Sequence, residues 1–496
     1  MIKEFVENHD KLVHRTLEIL PGTFSWTLIL FPVIGAFWIP HYVAYFIIMF
    51  DIFWFYKSGS FAITAVISHL KLNASKKYDW LGDAQKLPGF KKLHHLVVIP
   101  TYKEPVHTIE KGIDSVKHQD MPLGQISVVL AFEQREGKEA YEKAKTLAKK
   151  YKNVFANFLV TFHPDIASEV KGKSSNEAYA GKIAKQVLVD KQKRDIEFIT
   201  VTSKDADGIF DKKYFSCISY KFLTNESRHL RFWQPIILFY NNIWKVPAPI
   251  RVMNSLGSVV ATGQNIRTDR LVNFSMYTLS LKLLDEVGYW DVDVIPEDYR
   301  IFFKSYFAKD GKVDVEAVFL PVYADAAEST SYMKSLVNFY EQEKRWAWGV
   351  SDDAYIIKKW LTHTHIPFWQ RTVRVFQVLL DHFLWPVNWF AITLGANIPV
   401  LLNPAFAQTV MGQNLPRISF GILSACWIFL LIILVIDFRQ RPKREQKIGL
   451  VRRLASPLEF VLMPVVTFIF SALPGIDAHT RLMLGKYLEY RVTEKV

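Results

Sequence analysis

Apolar runs crowd both ends of this chain and leave charged residues to its middle, and that division constrains the fold more than any single motif. Residues 24–39, FSWTLILFPVIGAFWI, carry no charge; Pro40-His41 follows, then YVAYFIIMFDIFWFY over 42–56. Segments this apolar predict two membrane helices joined by a tight turn. Asp51 lies inside the second, where a carboxylate either serves function or faces an interface or a protein partner. FAITAVISHLKL (61–72) reads as an amphipathic continuation along the membrane surface. Toward the other end, WQRTVRVFQVLLDHF (369–383) reads as an interfacial helix with Arg371 and Arg374 toward headgroups. Residues 384–402 and 418–438 can each span. LEFVLMPVVTFIFSALPG (458–475) either spans or dips in and returns, and the basic tail GKYLEYRVTEKV favours a re-entrant segment with a cytoplasmic end. RQRPKREQKIGLVRR (439–453) is the most basic loop, which the positive-inside rule places in the cytoplasm. Counting back across two helices puts residues 73–365 there too.

The expected division is therefore 1–72, an amphipathic segment and two spans; 73–365, a cytoplasmic domain; and 366–496, an interfacial helix, two to three membrane segments and a basic tail. A multi-pass protein of the cell (inner) membrane is expected. Composition agrees: half the residues are hydrophobic, yet mean hydropathy is only +0.08, as a mosaic of membrane segments and an ordinary polar domain would give. The net charge of +13 suits anionic lipid or a phosphate-bearing substrate. Without zinc-finger spacing or a long basic arm, nucleic acid is not an expected partner. Cys217 and Cys426 give no disulfide framework and no metal pattern, and read as buried thiols. The N-terminus lacks the basic-then-apolar order of a secretory signal.

The middle region alternates strand and helix. HHLVVIPTY (94–102) suits a buried parallel strand, TIEKGIDSVKHQ (108–119) a helix, ISVVLAFE (126–133) a second strand, and GKEAYEKAKTLAKKY (137–151) a second helix. IEFITVTSKDADG (196–208) is a third strand running into a carboxylate-rich turn. That order predicts an α/β domain with a mostly parallel sheet, whose ligands bind beyond the carboxyl ends of its strands.

Five short stretches carry candidate chemistry. Asp205 and Asp207 of KDADG are two apart; on an extended segment they share a side and could hold a divalent cation that bridges phosphates, or they are a solvated turn. Glu297 and Asp298 of PED are either a helix N-terminal charge cluster or a pair that includes a general base. GKSSN (172–176) is not a phosphate loop, because Ala167 stands where that motif needs glycine, but Lys173 could still meet phosphate as a point charge. Gln342, Arg345 and Trp346 of EQEKRWAWG share a helix face at i, i+3, i+4. They suit either anchoring at lipid headgroups or gripping something both charged and sugar-like. His94-His95 and the HTH at 363–365 read as surface or interfacial residues without a metal role.

Taken in order, VVIPTYKEP, GKSSN, DADG, EVGYWD with PED, and QEKRW followed by membrane helices resemble the membrane-integrated family 2 glycosyltransferases, the cellulose, chitin and hyaluronan synthases and their relatives. The resemblance covers the middle domain and the flanking helices. It implies a GT-A fold, an inverting hexosyl transfer from a nucleotide-sugar (UDP-sugar rather than GDP-sugar) and a Mg²⁺ or Mn²⁺ ion. By the same resemblance Thr101, Tyr102 and Glu104 line the nucleoside pocket, and Lys173 and Asn176 sit near uridine and diphosphate. Asp205 and Asp207 contact ribose and metal, Asp298 is the base with Glu297 beside it, and Gln342, Arg345 and Trp346 close the site near diphosphate and acceptor sugar.

Two departures stand out. AFEQREG replaces the family's Asp-Asp pair, with Glu133 or Glu136 as its substitute, and PED replaces T-E-D. The expected function is elongation of a polysaccharide at the membrane and its passage across. The alternatives are transfer of a single sugar to a membrane lipid, or a non-catalytic scaffold or transporter, against which the intact acidic pairs argue.

Overall fold

The computed structural model describes residues 2–444 and 456–489. The core of the 439–453 loop and the last residues of the tail lie outside the described residues. The middle region forms an eight-stranded sheet of order β3-β2-β1-β4-β7-β6-β8-β5. The strands are β1 His94–Thr101, β2 Ile126–Glu133, β3 Asn157–His163, β4 Ile199–Ser203, β5 Ile209–Phe210, β6 Arg231–Leu238, β7 Tyr277–Ser280 and β8 Asp314–Tyr323. β1 pairs in parallel with β2 and β4, β2 with β3, and β6 with β8. β7 runs antiparallel to both of its neighbours. The expected α/β domain with a mostly parallel sheet is present.

β1 and β2 are buried along their whole length, as their unbroken apolar runs require of central parallel strands. His94 and His95 are not surface residues. Both are fully buried on β1, where His94 meets the Ser127 hydroxyl at 2.8 Å and His95 those of Thr200 and Ser219 at 2.7 and 2.8 Å. Hydroxyls on neighbouring elements meet both nitrogens of His95 and one of His94, and burial holds both imidazoles neutral, with pKa values pushed down to about 3. The chain leaves β1 toward β2 on one side and reaches β4 on the other, so the carboxyl ends of β1 and β4 flank a topological switch point.

Among the described residues, four helical segments are long and apolar enough to cross a membrane: Asp10–Trp38, Pro40–Lys77, Val410–Gln440 and Pro457–Met483. The first two meet at Ile39 and Pro40, as expected. The 61–72 stretch is not a separate surface segment, because the Pro40–Lys77 helix runs through it unbroken. The first expected domain boundary therefore falls inside a helix. Gly59 allows the Val410–Gln440 helix to pack close; a Cβ there would stand 3.0 Å from the Phe429 ring.

Residues 384–402 do not form a span. Pro386, Gly395 and Pro399 punctuate them, and short helices such as Asn388–Thr393 and Ile398–Leu402 result. Arg374, on the Phe368–Leu384 helix, does not face headgroups. It is buried, bonded to the Thr268 carbonyl at 2.9 Å and to the Asp314 carboxylate, and so ties this helix to the sheet domain.

Candidate active site

Ser275, just ahead of β7, joins the acids. Its backbone is left-handed, with φ of 57°, a conformation non-glycine residues rarely take. From there its N–H donates to Asp298 Oδ2 at 2.8 Å and its hydroxyl to Asp205 Oδ2 at 3.0 Å. Its carbonyl accepts from Lys173 Nζ at 2.7 Å. Lys173 also pairs with Asp205 Oδ1 and Glu297 Oε1, each at 2.9 Å. Such strain persists where surrounding contacts over-determine it, and three do so here.

Each group arrives on its own element. Lys173 opens the helix Lys173–Lys185, and Asp205 follows β4. Glu297 and Asp298 occupy the first turn of the helix Glu297–Ala308, where backbone N–H groups favour negative charge. Asp298 Oδ1 accepts the Tyr299 N–H at 2.8 Å. Both readings of the PED acids therefore describe the same place.

Burial pushes Asp298 above the ordinary carboxylate range, against the pull of Lys173 and the two backbone N–H groups. Glu297 is raised by burial too. So is Glu177, a turn along from Lys173, whose Oε1 accepts from the Ser203 hydroxyl at 2.6 Å. Burial opposes the charge on Lys173, yet the carboxylates of Asp205, Glu297 and Glu177 hold it well above the ordinary lysine range. One buried cation thus organises several buried acids.

The DADG stretch is a turn rather than an extended segment, closed by the Gly208 N–H on the Asp205 carbonyl at 3.0 Å. Asp205 faces Lys173 and Ser275, while Asp207 Oδ2 accepts the Asp325 N–H at 2.8 Å. Among the described residues no group of three or more His, Cys, Asp or Glu could hold a metal. A small hard cation needs only one or two carboxylates when substrate phosphates complete its shell. Carboxylates are the donor type such an ion takes, although both Asp205 oxygens are engaged by Lys173 and Ser275. Lys204, fully buried beside this turn, donates to the Asp205 carbonyl at 3.1 Å, and burial lowers its pKa to about 8.

The residues expected around the nucleoside form a second cluster at the ends of β1 and β2. The Thr101 hydroxyl donates to Glu104 Oε2 at 2.7 Å, and the Tyr102 N–H donates to the same oxygen. Glu133 is held by Arg135, whose guanidinium lies 3.9 Å from the centre of the Tyr102 ring. Glu136 is likewise committed, to Lys143 at 2.9 Å, so both candidate substitutes are ion-paired. Asn176 is a correction. It is buried and donates to the Ala131 carbonyl at 2.8 Å, pinning its helix to β2.

Gln342, Arg345 and Trp346 lie on one helix, Tyr332–Ala347, as their spacing predicts. Gln342 is buried, Arg345 half-buried and Trp346 exposed. The Trp346 ring centre stands 5.5 Å from that of Phe239. Two residues on, the Asn241 amide donates to the Asp207 carbonyl at 3.1 Å, so Trp346 approaches the Asp207 side of the site. Ser275, Glu177 and Lys204 went unread in the sequence. Ser275 acts through its backbone, which leaves no signature, but Lys204 adjoins Asp205 and Glu177 adjoins Asn176.

Residues 201–438 match the family model described as glycosyl transferase family group 2, which supports a family 2 glycosyltransferase. No curated protein matches the chain. Among solved structures, the mannosyltransferase PcManGT from Pyrobaculum calidifontis, in complex with GDP-Man and Mn²⁺, is 12% identical with a TM-score of 0.40, over 75% of this chain and 99% of that one. S. aureus TarS 1–349 with UDP-GlcNAc is 15% identical with a TM-score of 0.37, over 80% and 93%. GalNAc-T7 with UDP, GalNAc and Mn²⁺ is 14% identical with a TM-score of 0.31, over 63% and 58%. Likeness at this level carries no argument about this chain's chemistry.

Proposed function

We propose that the chain is an inverting glycosyltransferase that moves a sugar from a nucleotide-sugar to a hydroxyl acceptor at a membrane. The observation that carries this reading is the convergence of Lys173, Asp205 and Asp298 on Ser275, with Glu297 joined through Lys173. A carboxylate held by two backbone N–H groups, with its pKa raised by burial, is suited to act as a general base.

Asp298 accepts the acceptor's hydroxyl proton as that oxygen attacks the anomeric carbon from the face opposite the nucleotide. The bond from that carbon to the donor phosphate breaks, its electron pair leaves with the nucleoside diphosphate, and configuration inverts. Lys173 and Ser275 position the acids. Arg345 meets the charge on the leaving diphosphate, Trp346 offers a flat face to a sugar ring, and Gln342 offers an amide. Thr101, Tyr102, Glu104 and Glu133 form the nucleoside end. A Mg²⁺ or Mn²⁺ ion held by Asp207 and Asp205 with the donor phosphates would neutralise charge on the leaving group.

The test is a panel of UDP- and GDP-sugars incubated with the full chain and Mn²⁺, read by released nucleoside diphosphate. One donor class should turn over and EDTA should stop it; no turnover with any donor contradicts the reading. Product size separates a polymer, which the sequence resemblance favours, from a single-sugar lipid.

A further inference from the structure

An open-mouthed cavity of about 160 Å³ lies between the Pro40–Lys77 helix, the Phe368–Leu384 helix and the loop leading to Ser275. The membrane-length helix contributes Phe53, Tyr56, Lys57 and Phe61 to its wall, and the sheet domain contributes Arg267, Arg270, Phe274 and Tyr299. The last two matter most. Phe274 precedes Ser275 and Tyr299 follows Asp298, and the N–H groups of Ser275 and Tyr299 hold the two oxygens of the Asp298 carboxylate. The cavity therefore joins a helix able to sit in a bilayer to the immediate chain neighbours of Ser275 and the proposed base.

Its chemistry is divided. Phe53, Phe61, Leu271, Val272 and Leu380 make an apolar lining, while Lys57, Arg267 and Arg270 are set against one lining acid, Asp381. Each cation has partners at the cavity's partly exposed rim, Arg270 donating also to Gln377 Oε1 at 2.8 Å. Lys57 pairs with Asp381 at 3.0 Å, and Arg267 and Arg270 share Asp269, itself 54% exposed. Such solvent-facing pairs are worth little and can be exchanged for a stronger anion.

Resting on the transfer reading above, we infer that this cavity receives the acceptor, and that the acceptor is an anionic amphiphile: a membrane lipid whose headgroup bears a phosphate and a free hydroxyl. The phosphate sits among Lys57, Arg267 and Arg270, and the hydrocarbon lies along the Phe53–Phe61 face. The hydroxyl oxygen bonds to the anomeric carbon, its proton passes to Asp298, and the nucleoside diphosphate leaves with the electron pair of the broken bond. The product is a glycolipid.

The full chain in mild detergent is tested by native mass spectrometry with phosphatidylglycerol, neutral diacylglycerol and soluble glycerol 3-phosphate as probes. Phosphatidylglycerol should be retained at one per chain, diacylglycerol should not, and millimolar glycerol 3-phosphate should not displace it. Lys57→Gln, which removes a cation, and Ser60→Phe, which fills the cavity without changing charge, should each weaken retention about tenfold. Equal retention of diacylglycerol, or full retention in both variants, overturns the proposal. Displacement by glycerol 3-phosphate overturns its lipid half in favour of a soluble phosphate ester. Release of nucleoside diphosphate from donor by the wild-type chain is measured separately; its absence counts against the transfer reading, whatever the lipids do.

Discussion

At the scale of single residues, Lys173 decides whether the site exists. It is the ammonium that Asp205 and Glu297 both touch, and it is almost wholly enclosed. Removing one partner of a buried charge network leaves the others uncompensated, typically at a cost of about 3–5 kcal/mol. Lys173→Met should therefore lower the thermal midpoint and abolish donor turnover together, both measurable on purified protein in detergent. A midpoint that stays at the wild-type value would show that the acids do not depend on this cation.

Asp298 makes a separate prediction about pH. A general base must be ionised, and burial raises its pKa. The acid limb of kcat/KM should then lie above the ordinary aspartate value of about 3.9, turnover falling as pH drops through the raised pKa. A pH–rate profile whose acid limb sits at the ordinary value would contradict the burial argument.

At the scale of elements, the DADG turn is positioned by the helix Val106–Lys117 packed beneath it. Gly112 makes that approach possible: a Cβ there would stand 2.1 Å from the Ala206 carbonyl oxygen and 2.8 Å from Lys204 Nζ. Gly112→Ala should push the turn outward, costing about 1–3 kcal/mol of stability. Donor turnover should fall more steeply than stability, because Asp205 and Asp207 flank the displaced residue. Wild-type turnover in Gly112→Ala would mean the turn is not held from below.

This is also the scale at which the sequence was most unevenly legible. β1 and β2 announce themselves as unbroken apolar runs between turn residues. β3 is an edge strand with mostly half-buried residues, and β7 is four residues long, so neither leaves a periodic pattern. The acids of DADG and PED could be singled out by type and place. Their convergence could not, since it depends on the left-handed backbone of Ser275 and on pairings between segments far apart in sequence. His94 and His95 misled because two adjacent histidines suggest a surface, whereas the hydroxyls they meet come from other elements.

At the scale of the whole molecule, the sheet domain is fastened to the membrane-length helices. The Tyr240 hydroxyl donates to Asp437 at 2.8 Å, Arg251 pairs with Glu459 at 2.7 Å, and Lys358 reaches Asp10 at 2.7 Å. The helices themselves bear large exposed apolar side chains, among them Tyr42, Met49, Phe420 and Trp427. A soluble protein rarely exposes so much apolar surface, and a bilayer accounts for it. The chain should stay in the membrane pellet after an alkaline carbonate wash, and residues 73–365 expressed alone should aggregate. Release by carbonate would count against a membrane-spanning arrangement.

The central claim is that Asp298 is the base of a sugar-transfer site assembled around Ser275, and Asp298→Asn in the full chain tests it most directly. Asparagine keeps the shape and removes the proton acceptor. Donor binding, followed by calorimetry, should persist, while transfer should fall by a factor of about 10²–10⁴. Transfer at the wild-type rate in Asp298→Asn would contradict the account.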